Sequence, residues 1–347
     1  METILVTGAQ GFTGRFLVAA LLRAFPHHRV VGIGRSPEND THFTHCVSWG
    51  HSRCRAPLPS ALVIPDKSRY QYYVCSLNDN MELKKIAVSH QPRIVFNLAA
   101  ALRDAAPTQL IETNVIGTIN LLNVLGLIGD KPRLVLGSSG SVYGGNNSPR
   151  CRESDRCSPS EPYAVSKLAS EQCATVLASS LNVDLVISRI FNIAGPGQDE
   201  RHVCGMFAAQ SVAVLTGARE PQIAVGDLTP ARDFIDVRDV AEALVAVARF
   251  GAGGAIYNVA SGFECVIGTI LEKILKIAGV FGKVKVEQRY ARRHDVSRQR
   301  ADVRLLRSLG YRPQYTMDAT LRDVVDYYKA LLHAKADGTP LENTSGG

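Results

Sequence analysis

The chain has 347 residues, 46% hydrophobic and 20% charged, which is enough apolar content for one large domain or two closely joined ones. Its 39 basic and 32 acidic residues give a net charge of +7, but the excess is local. Seven arginines cluster near the C-terminus: Arg289, Arg292, Arg293, Arg298, Arg300, Arg304 and Arg307. This stretch lacks the aromatic interleaving of a single-strand binder, so it favours a pocket for a diphosphate and no nucleic-acid partner.

Targeting and redox signals point to the cytoplasm. No uncharged apolar run reaches the roughly 20 residues that a membrane helix needs, so we expect no membrane partner. Met1 leads directly into a strand-like segment rather than a signal peptide. The eight cysteines are scattered without a CxxC pair, which is typical of reduced thiols. We therefore predict a cytoplasmic protein.

The first predicted unit is a strand, a glycine turn and a helix. Residues 4–7 (ILVT) are apolar and precede the sequence GAQGFTG at 8–14, after which a helical pattern begins. This order points a helix N-terminus and bare backbone N–H groups at a pyrophosphate. Gly8 allows the tight turn, Gly11 the close approach of a phosphate and Gly14 the close packing of helix on strand. The predicted dinucleotide-binding residues here are Gly8, Gln10, Gly11, Phe12 and Gly14.

The second predicted strand, 29–34, ends at Arg35, where an NAD site usually carries an acidic residue for the ribose. Arginine instead suits a 2′-phosphate, so NADP(H) is favoured over NAD(H), with a solvated loop arginine as the alternative. Residues 36–70 are interpreted as a long irregular loop near the adenosine end of the cofactor. Their histidines and cysteines match no zinc-ligand spacing, and no metal site is predicted.

Three further strands follow in chain order. Residues 71–75 lead to Ser76 and Leu77, which could meet the adenine. Residues 94–100 form a continuous apolar run, typical of a buried parallel strand, and the small residues at its end would let the cofactor pass closely. These are Leu98, Ala99 and Ala100. A helix containing Asn114 comes next, and then the strand 133–137 runs into the serine-rich segment 138–144.

Tyr163 and Lys167 are four residues apart in a predicted helix, so they share one face. A cation close to a phenol favours the phenolate and makes the tyrosine a usable proton donor and acceptor near neutrality. Alone, the pair could equally be a surface lysine beside a half-buried tyrosine. In an open α/β sheet, however, ligands bind beyond the carboxyl ends of the strands, which places Ser139 and the glycine turn in one cleft with this pair.

Six motifs together resemble the extended short-chain dehydrogenase/reductase family, in the group that modifies nucleotide-diphosphate sugars. They are TGAQGFTG, NLAA, SSGSVYG, PYAVSK, RIFNIAGPG (189–197) and RDFIDVRD (232–239), and the likeness covers roughly residues 1–330. The resemblance implies an α/β fold, a Rossmann-type doubly wound parallel sheet with a smaller mixed α/β C-terminal substrate domain. It assigns 1–188 and 224–260 to the cofactor domain and 189–223 and 261–330 to the substrate domain. A polar tail at 331–347 follows, and helices near 105–126 and 162–180 would form a homodimer.

The resemblance also implies roles for individual residues. Ser139 would hydrogen-bond the reacting sugar oxygen, with Ser141 as a second candidate on the substrate side. Tyr163 would be the general acid/base, and Lys167 would hold the nicotinamide ribose and lower the pKa of the tyrosine. The remaining positions would line the cofactor (Ile190) or bind the substrate (Asn192, Arg232 and Arg292).

Three reactions share this scaffold: 4-epimerisation, 4,6-dehydration and reduction of a 4-keto sugar. Gly140 and Ser141 stand where dehydratases carry an extra acid, so dehydration is disfavoured. The C-terminal half looks most like GDP-4-keto-6-deoxymannose reductases, whereas SSGSVYG looks more like an epimerase loop. Arg35 favours an exchangeable NADPH and hence an NADP(H)-dependent 4-keto (6-deoxy) sugar reductase. An NAD-dependent 4-epimerase, a 4,6-dehydratase and a non-catalytic cofactor-binding protein remain the alternatives.

Overall fold

The computed structural model describes residues 1–49, 52–64, 67–145, 150–289 and 297–336. Its strands are β1 (Thr3–Thr7), β2 (Arg29–Gly34), β3 (His42–Trp49), β4 (Ser52–Pro57), β5 (Tyr70–Val74), β6 (Ile94–Asn97), β7 (Arg133–Ser139), β8 (Arg150–Cys151), β9 (Asp184–Ile190), β10 (Asn192–Ala194), β11 (Gln222–Val225), β12 (Ala231–Asp236), β13 (Ile256–Val259), β14 (Glu264–Val266), β15 (Lys285–Gln288) and β16 (Arg298–Ala301). Its α-helices are α1 (Phe12–Ala24), α2 (Asn80–His90), α3 (Pro107–Leu110), α4 (Gly117–Leu125), α5 (Pro162–Ser180), α6 (Val203–Leu215), α7 (Val237–Phe250), α8 (Ile267–Ala278), α9 (Arg304–Ser308) and α10 (Met317–Ala336). A π-helical segment, Ile111–Ile116, joins α3 to α4.

Seven parallel strands form the main sheet in the order β13–β9–β7–β6–β1–β2–β5. From β1 the strands run outward in sequence order in both directions, so the order reverses between β1 and β6. This is the switch point beside which open α/β sheets bind ligands. The Rossmann-type fold class is confirmed.

The main sheet is buried on both faces, which explains its continuous apolar strands. Successive side chains of a strand point to opposite faces, so Ile4 and Val6 belong to one core and Leu5 to the other. The first core includes residues of α1 and α7, and the second includes residues of α2, α4 and α5. Burying each such aliphatic side chain contributes about 1.5–3 kcal/mol to folding.

A smaller mixed sheet lies in the C-terminal half. β12 pairs in parallel with β10 and β16 and antiparallel with β14, and β16 also pairs with β8. A separate parallel pair joins β11 to β15. The chain returns to the main sheet between these elements, because α7 packs on α1 and β13 pairs with β9. The exact domain boundaries stay a prediction.

Residues 36–70 differ from the predicted irregular loop, because β3 and β4 form an antiparallel hairpin. Its buried residues, Phe43 and Val47 on β3 and Cys54 and Ala56 on β4, pack into the core on the α1 side of the main sheet. The ring of Phe43 lies 5.9 Å from that of Phe12, and a ring nitrogen of His45 lies 2.8 Å from the carbonyl oxygen of Gly197. The hairpin therefore bridges the glycine turn and the segment after β10.

Two further features concern the chain ends and the cysteines. Helix α10 continues to Ala336, so residues 331–336 of the predicted tail are helical, and the rest of the tail lies outside the described residues. All eight cysteines are free thiols. Within the described ranges, no helix is both long and apolar enough to span a membrane.

Candidate active site

The glycine turn after β1 is shaped by close backbone contacts. Gly8 has a φ of +69°, and a Cβ there would lie 2.9 Å from the backbone nitrogen of Ala99. A Cβ on Gly14 would lie 2.1 Å from the carbonyl oxygen of Gly8, so larger residues are excluded at both positions. A Cβ on Gly11 would meet only the carbonyl oxygen of Gly8, at 3.2 Å. Gly11 is the N-cap residue of α1, and the N-terminus of a helix favours a phosphate resting on its backbone.

Buried hydrogen bonds hold the switch point between β1 and β6. Thr7 donates its hydroxyl to Asn97 over 2.6 Å, and the Asn97 amide donates to Thr118 over 3.1 Å. The Thr7 hydroxyl also accepts from the backbone N–H of Ala99, at 3.0 Å. These contacts fix the partly exposed segment 98–100 beside Gly8, where sequence analysis expects the cofactor.

Asn114 lies in the π-helical segment and joins two parts of the site. Its amide accepts from the N–H of Ala101 at 2.8 Å and donates to the carbonyl of Ala101 at 3.2 Å. The same amide donates to the hydroxyl of Ser166 at 2.9 Å. Sequence analysis placed Asn114 in a helix without assigning it a function. A polar residue on a helix that is otherwise apolar on several faces could have marked Asn114 as functional. Its π-helical segment agrees with such a role, because π-helical segments are frequent at functional sites.

Ser139, Ser141 and Tyr163 meet at the carboxyl end of β7. Pro162 occupies the first turn of α5, which its fixed φ favours, and the helix presents Tyr163 toward the end of the strand. The Tyr163 hydroxyl is close enough to that of Ser139 for the serine to favour the phenolate, and Ser141 donates its hydroxyl to that of Ser139 over 2.9 Å. Lys167 is buried one turn further along α5, and its ammonium donates to the carbonyl of Gly137 in β7.

Burial shifts both titrating groups of this site away from the charged form. It lowers the pKa of Lys167 to about 8, against an opposing effect of Glu171. It raises the pKa of Tyr163, while the guanidinium of Arg103 and the hydrogen bond from Ser139 act to lower it. The carbon of the Arg103 guanidinium lies 5.7 Å from the centre of the Tyr163 ring. Arg103 was not among the residues that sequence analysis selected.

A buried ion pair supports the strand that carries Ser139. Arg189 of β9 contacts Glu171 of α5 over 2.7 Å, and Ser138 donates its hydroxyl to the same carboxylate. Arg189 also stacks 4.8 Å from the centre of the Tyr143 ring, whose hydroxyl donates to Asn258 over 2.7 Å. Both charges are paired, so the pair fixes β7, β9 and α5 relative to one another without leaving a bare charge in the core.

The other predicted cofactor residues fall into three groups. Ile190 of β9 pairs directly with Ser139 of β7. Leu77 is buried against Gly117, so closely that a side chain on Gly117 would lie 3.0 Å from the Leu77 Cβ. Ser76 is partly buried, and its hydroxyl accepts from the backbone N–H of Asn78 at 3.2 Å. Arg35 is exposed at the end of β2 and bonds to no described residue.

Gln10 and Phe12 point into the protein. The Gln10 carbonyl oxygen accepts from Arg15 and from the backbone N–H of Asn39, each at 3.1 Å. Phe12 packs between the rings of Phe16 and Phe43. At both positions, therefore, the backbone rather than the side chain is available to a phosphate.

The predicted substrate residues lie on or beside the mixed sheet. Asn192 donates its amide to the carbonyl of Asp233 over 3.0 Å, and Arg232 is partly buried on β12. Arg292 lies outside the described residues. The Asp233 carboxylate is buried and accepts four hydrogen bonds, from the N–H and hydroxyl of Ser261, the N–H of Gly262 and the N–H of Ala301. It thereby connects β12 to β16.

The cluster of C-terminal arginines is partly neutralised. Three of its described members are paired with carboxylates: Arg289 with Glu287, Arg298 with Glu264 and Arg304 with Asp302. These three side chains stay largely exposed, at 48%, 63% and 71%. Among the described residues, no group of histidine, cysteine and acidic side chains could hold a metal ion.

The fold and the position of the Ser139, Tyr163 and Lys167 cluster beside the switch point define an NAD(P)-dependent short-chain dehydrogenase/reductase of the extended type. Residues 4–260 match the family described as "NAD dependent epimerase/dehydratase family", and the chain belongs to that family.

Curated relatives include reductases, 4-epimerases and 4,6-dehydratases of nucleotide sugars. The chain is 33% identical to GDP-6-deoxy-D-mannose reductase from Pseudomonas aeruginosa over 233 residues, or 66% of this chain and 76% of that protein. It is 28% identical to UDP-glucose 4-epimerase from Mycolicibacterium smegmatis over 332 residues, or 94% of this chain and 98% of that protein. Among solved structures it resembles RMD from Pseudomonas aeruginosa complexed with NADPH, with a TM-score of 0.76 and 28% identity over 95% of this chain and 100% of that one.

Proposed function

We propose that the protein is an NADP(H)-dependent reductase of a nucleotide-diphosphate 4-keto (6-deoxy) sugar. The observation that carries the proposal is the meeting of Tyr163, Ser139 and Ser141 at the carboxyl end of β7, the strand next to β6 at the switch point. The 33% identity with a GDP-6-deoxy-D-mannose reductase and the likeness to a structure containing NADPH support the same reaction.

The geometry suits delivery of a proton to a sugar oxygen. The cofactor, when bound, supplies the hydride for the keto carbon. The negative charge that develops on the oxygen must be matched by a proton from a group within hydrogen-bond reach. Tyr163 donates that proton, and Ser139, oriented by Ser141, holds the oxygen in place. The glycine turn and residues 98–100 would hold the cofactor, because Gly8 packs on Ala99 and Gly14 on Gly8 so closely that no side chain fits in the turn.

The preference for NADP(H) rests on Arg35. It is exposed at the carboxyl end of β2 and has no bond to a described residue, so its guanidinium is available to a 2′-phosphate. Asn192, Arg232 and Arg292 are the proposed contacts to the substrate. The nucleotide diphosphate would be anchored there, remote from the reacting carbon, and anchoring of this kind holds the sugar for reaction.

A 4-epimerase is the second candidate. The epimerase relative matches a larger share of the chain than the reductase relative does, 94% against 66%. Tyr163 and Lys167 serve both reactions alike, so they do not discriminate. Dehydration is disfavoured because Gly140 and Ser141 occupy the positions of an extra acid. A non-catalytic role is disfavoured because Tyr163 and Lys167 are both present.

The test begins with the purified protein and the cofactor it releases on denaturation. NADPH oxidation is then measured with a panel of nucleotide-diphosphate 4-keto sugars. We expect exchangeable NADP(H) and NADPH consumption with at least one of them. Tightly held NAD, with interconversion of 4-epimers and no NADPH consumption, would establish the epimerase instead.

The proton donor is tested by Tyr163→Phe, with Tyr315→Phe, an exposed tyrosine just before α10, as the control. The first variant should lose 10²–10⁴-fold in turnover, the usual contribution of a general acid. Its affinity for the cofactor should stay close to that of the unaltered protein, and the control should retain full activity. Near-normal turnover of Tyr163→Phe would show that another group donates the proton.

A further inference from the structure

Arg103 lies over the proposed proton donor, in the loop between β6 and α3. Its guanidinium carbon is 5.7 Å from the centre of the Tyr163 ring, and its Nε is 2.9 Å from a carboxylate oxygen of Glu161. Glu161 is the N-cap residue of α5, two positions before Tyr163. The loop is held at its other side by the two hydrogen bonds between Ala101 and Asn114. The loop is thus tied to the N-terminus of α5 by Arg103 and to the π-helical segment by Ala101.

The acidic residue next to Arg103 is paired elsewhere and does not draw Arg103 away from Tyr163. Asp104 pairs with Arg201 over 3.4 Å, and Arg201 also holds Asp199. His202, whose pKa is lowered by burial, is close enough to Arg103, Asp104 and Arg201 to be affected by their charges. The acidic partner of Arg103 itself is therefore Glu161 rather than its own neighbour in sequence.

Lys167 already has a buried partner. Its ammonium donates to the carbonyl of Gly137 and is subject to the charge of Glu171. The charged groups that act on Tyr163 are Arg103 from the loop after β6 and Glu161 from the N-terminus of α5, whereas the ammonium of Lys167 is directed to Gly137. Arg103 acts to lower the pKa of Tyr163 and Glu161 acts to raise it.

We propose that Arg103 is a positioning residue for proton transfer, a second cation that stabilises the phenolate of Tyr163 and holds its ring against the end of β7. This inference rests on the proposed role of Tyr163 as proton donor. Cations over aromatic faces are attractive at this distance, and the attraction is moderate where the cation is solvated. The Arg103 side chain is 47% exposed, so a moderate effect is expected.

The first experiment measures tyrosine ionisation without turnover. Ultraviolet difference titration of the cofactor-free protein, minus that of Tyr163→Phe, isolates the ionisation of Tyr163. Arg103→Met should raise the pKa of Tyr163 by about 0.5 to 1, or roughly three- to tenfold in proton affinity. Arg103→Lys should restore part of the effect, and Glu161→Gln should lower the pKa of Tyr163. Arg312→Met, an exposed arginine elsewhere on the surface, is the matched control and should change nothing.

The second experiment follows the pH dependence of turnover. Keto reduction needs the protonated phenol, so activity falls as the pH rises through the pKa of Tyr163, and Arg103→Met should move that fall to higher pH. A merely structural role would lower the thermal midpoint or the cofactor affinity without moving the profile.

The role of Tyr163 and the role of Arg103 can be disproved independently. If Tyr163→Phe retains turnover, the proposed proton donor is wrong. If Tyr163→Phe is inactive while Arg103→Met leaves both the pKa of Tyr163 and the pH profile unchanged, the role of Arg103 alone is overturned.

Discussion

The Asn114 amide donates to the Ser166 hydroxyl over 2.9 Å, and Ser166 in turn donates to the backbone carbonyl of Tyr163 over 2.8 Å. One amide therefore connects the loop after β6, through Ala101, to the turn of α5 that lies between the proposed proton donor and Lys167. Its position inside a π-helical segment is what brings it within reach of both.

Asn114→Ala should destabilise the protein and lower turnover together. It leaves the N–H and carbonyl of Ala101 without their partners, and each buried unsatisfied group costs about 1–3 kcal/mol. We expect the free energy of unfolding to fall by about 2–4 kcal/mol in urea titrations. Ser166→Ala, which removes the contacts of its hydroxyl to Asn114 and to the Tyr163 carbonyl but keeps those between Asn114 and Ala101, should cost less. A stability for Asn114→Ala equal to that of the unaltered protein would contradict this account.

Lys167 should titrate near neutrality in the cofactor-free protein. Burial lowers its pKa from 10.5 to about 8. The midpoint can be read by NMR after ¹³C reductive methylation, with Lys167→Arg identifying the resonance and the other lysines serving as internal standards. The folded protein then binds fewer protons than the unfolded chain between about pH 8 and 10.5, so this lysine makes the free energy of unfolding rise with pH across that window. Lys167→Met should remove this rise. A titration midpoint near 10.5 would show that burial does not lower the pKa of Lys167.

Arg35 should decide between the two cofactors. A hydrogen bond to a charged group contributes about 1.5–3 kcal/mol, so Arg35→Ala should weaken NADPH binding roughly 10- to 150-fold and leave NADH almost unchanged. Arg29→Ala makes the same charge change at the opposite end of β2 and is the control. Dissociation constants for both cofactors, measured by fluorescence titration, give the ratio directly. An unaltered ratio in Arg35→Ala would remove the case for a 2′-phosphate contact.

The predicted homodimer has a testable surface. Val165 and Val176 are 47% and 74% exposed, and their spacing of eleven residues places them on one face of α5. Ile111 and Ile116 are also exposed on the preceding π-helical segment. Exposed apolar side chains on one face of a helix are common at protein interfaces. We expect a dimer by light scattering and a monomer for the double variant Val165→Glu/Val176→Glu. Leu305→Glu, an equally exposed leucine on α9, should remain dimeric, whereas a monomeric unaltered protein would exclude the interface.

Part of the site could be predicted from short-range sequence patterns alone. The order of strand, glycine turn and helix, and the helical spacing of Tyr163 and Lys167, depend on neighbours in sequence, so they could be predicted. The hairpin at 42–57 could not be predicted, because it has few apolar residues and they do not alternate clearly with its histidines and other polar residues. Those apolar residues are buried only through contacts with distant parts of the chain. Arg103 was missed because its meeting with Tyr163 depends on how the loop after β6 folds against α5, a contact across sixty residues of chain. Gln10 lies in the turn, but its side-chain oxygen accepts a hydrogen bond from Arg15 of α1, and its role at the cofactor stays a prediction.

The Gln299 amide donates to the carbonyl of Gly140 over 2.9 Å, directly after Ser139. The Asn258 amide likewise donates to the carbonyls of Cys151 and Asp302. A growing chain on the ribosome therefore contains Ser139, Tyr163 and Lys167 long before it contains the residues that brace them. The nascent Rossmann sheet can form early, but the serine-rich turn acquires its last partner only when β16 has emerged. Catalytic competence should thus appear as a late event of synthesis.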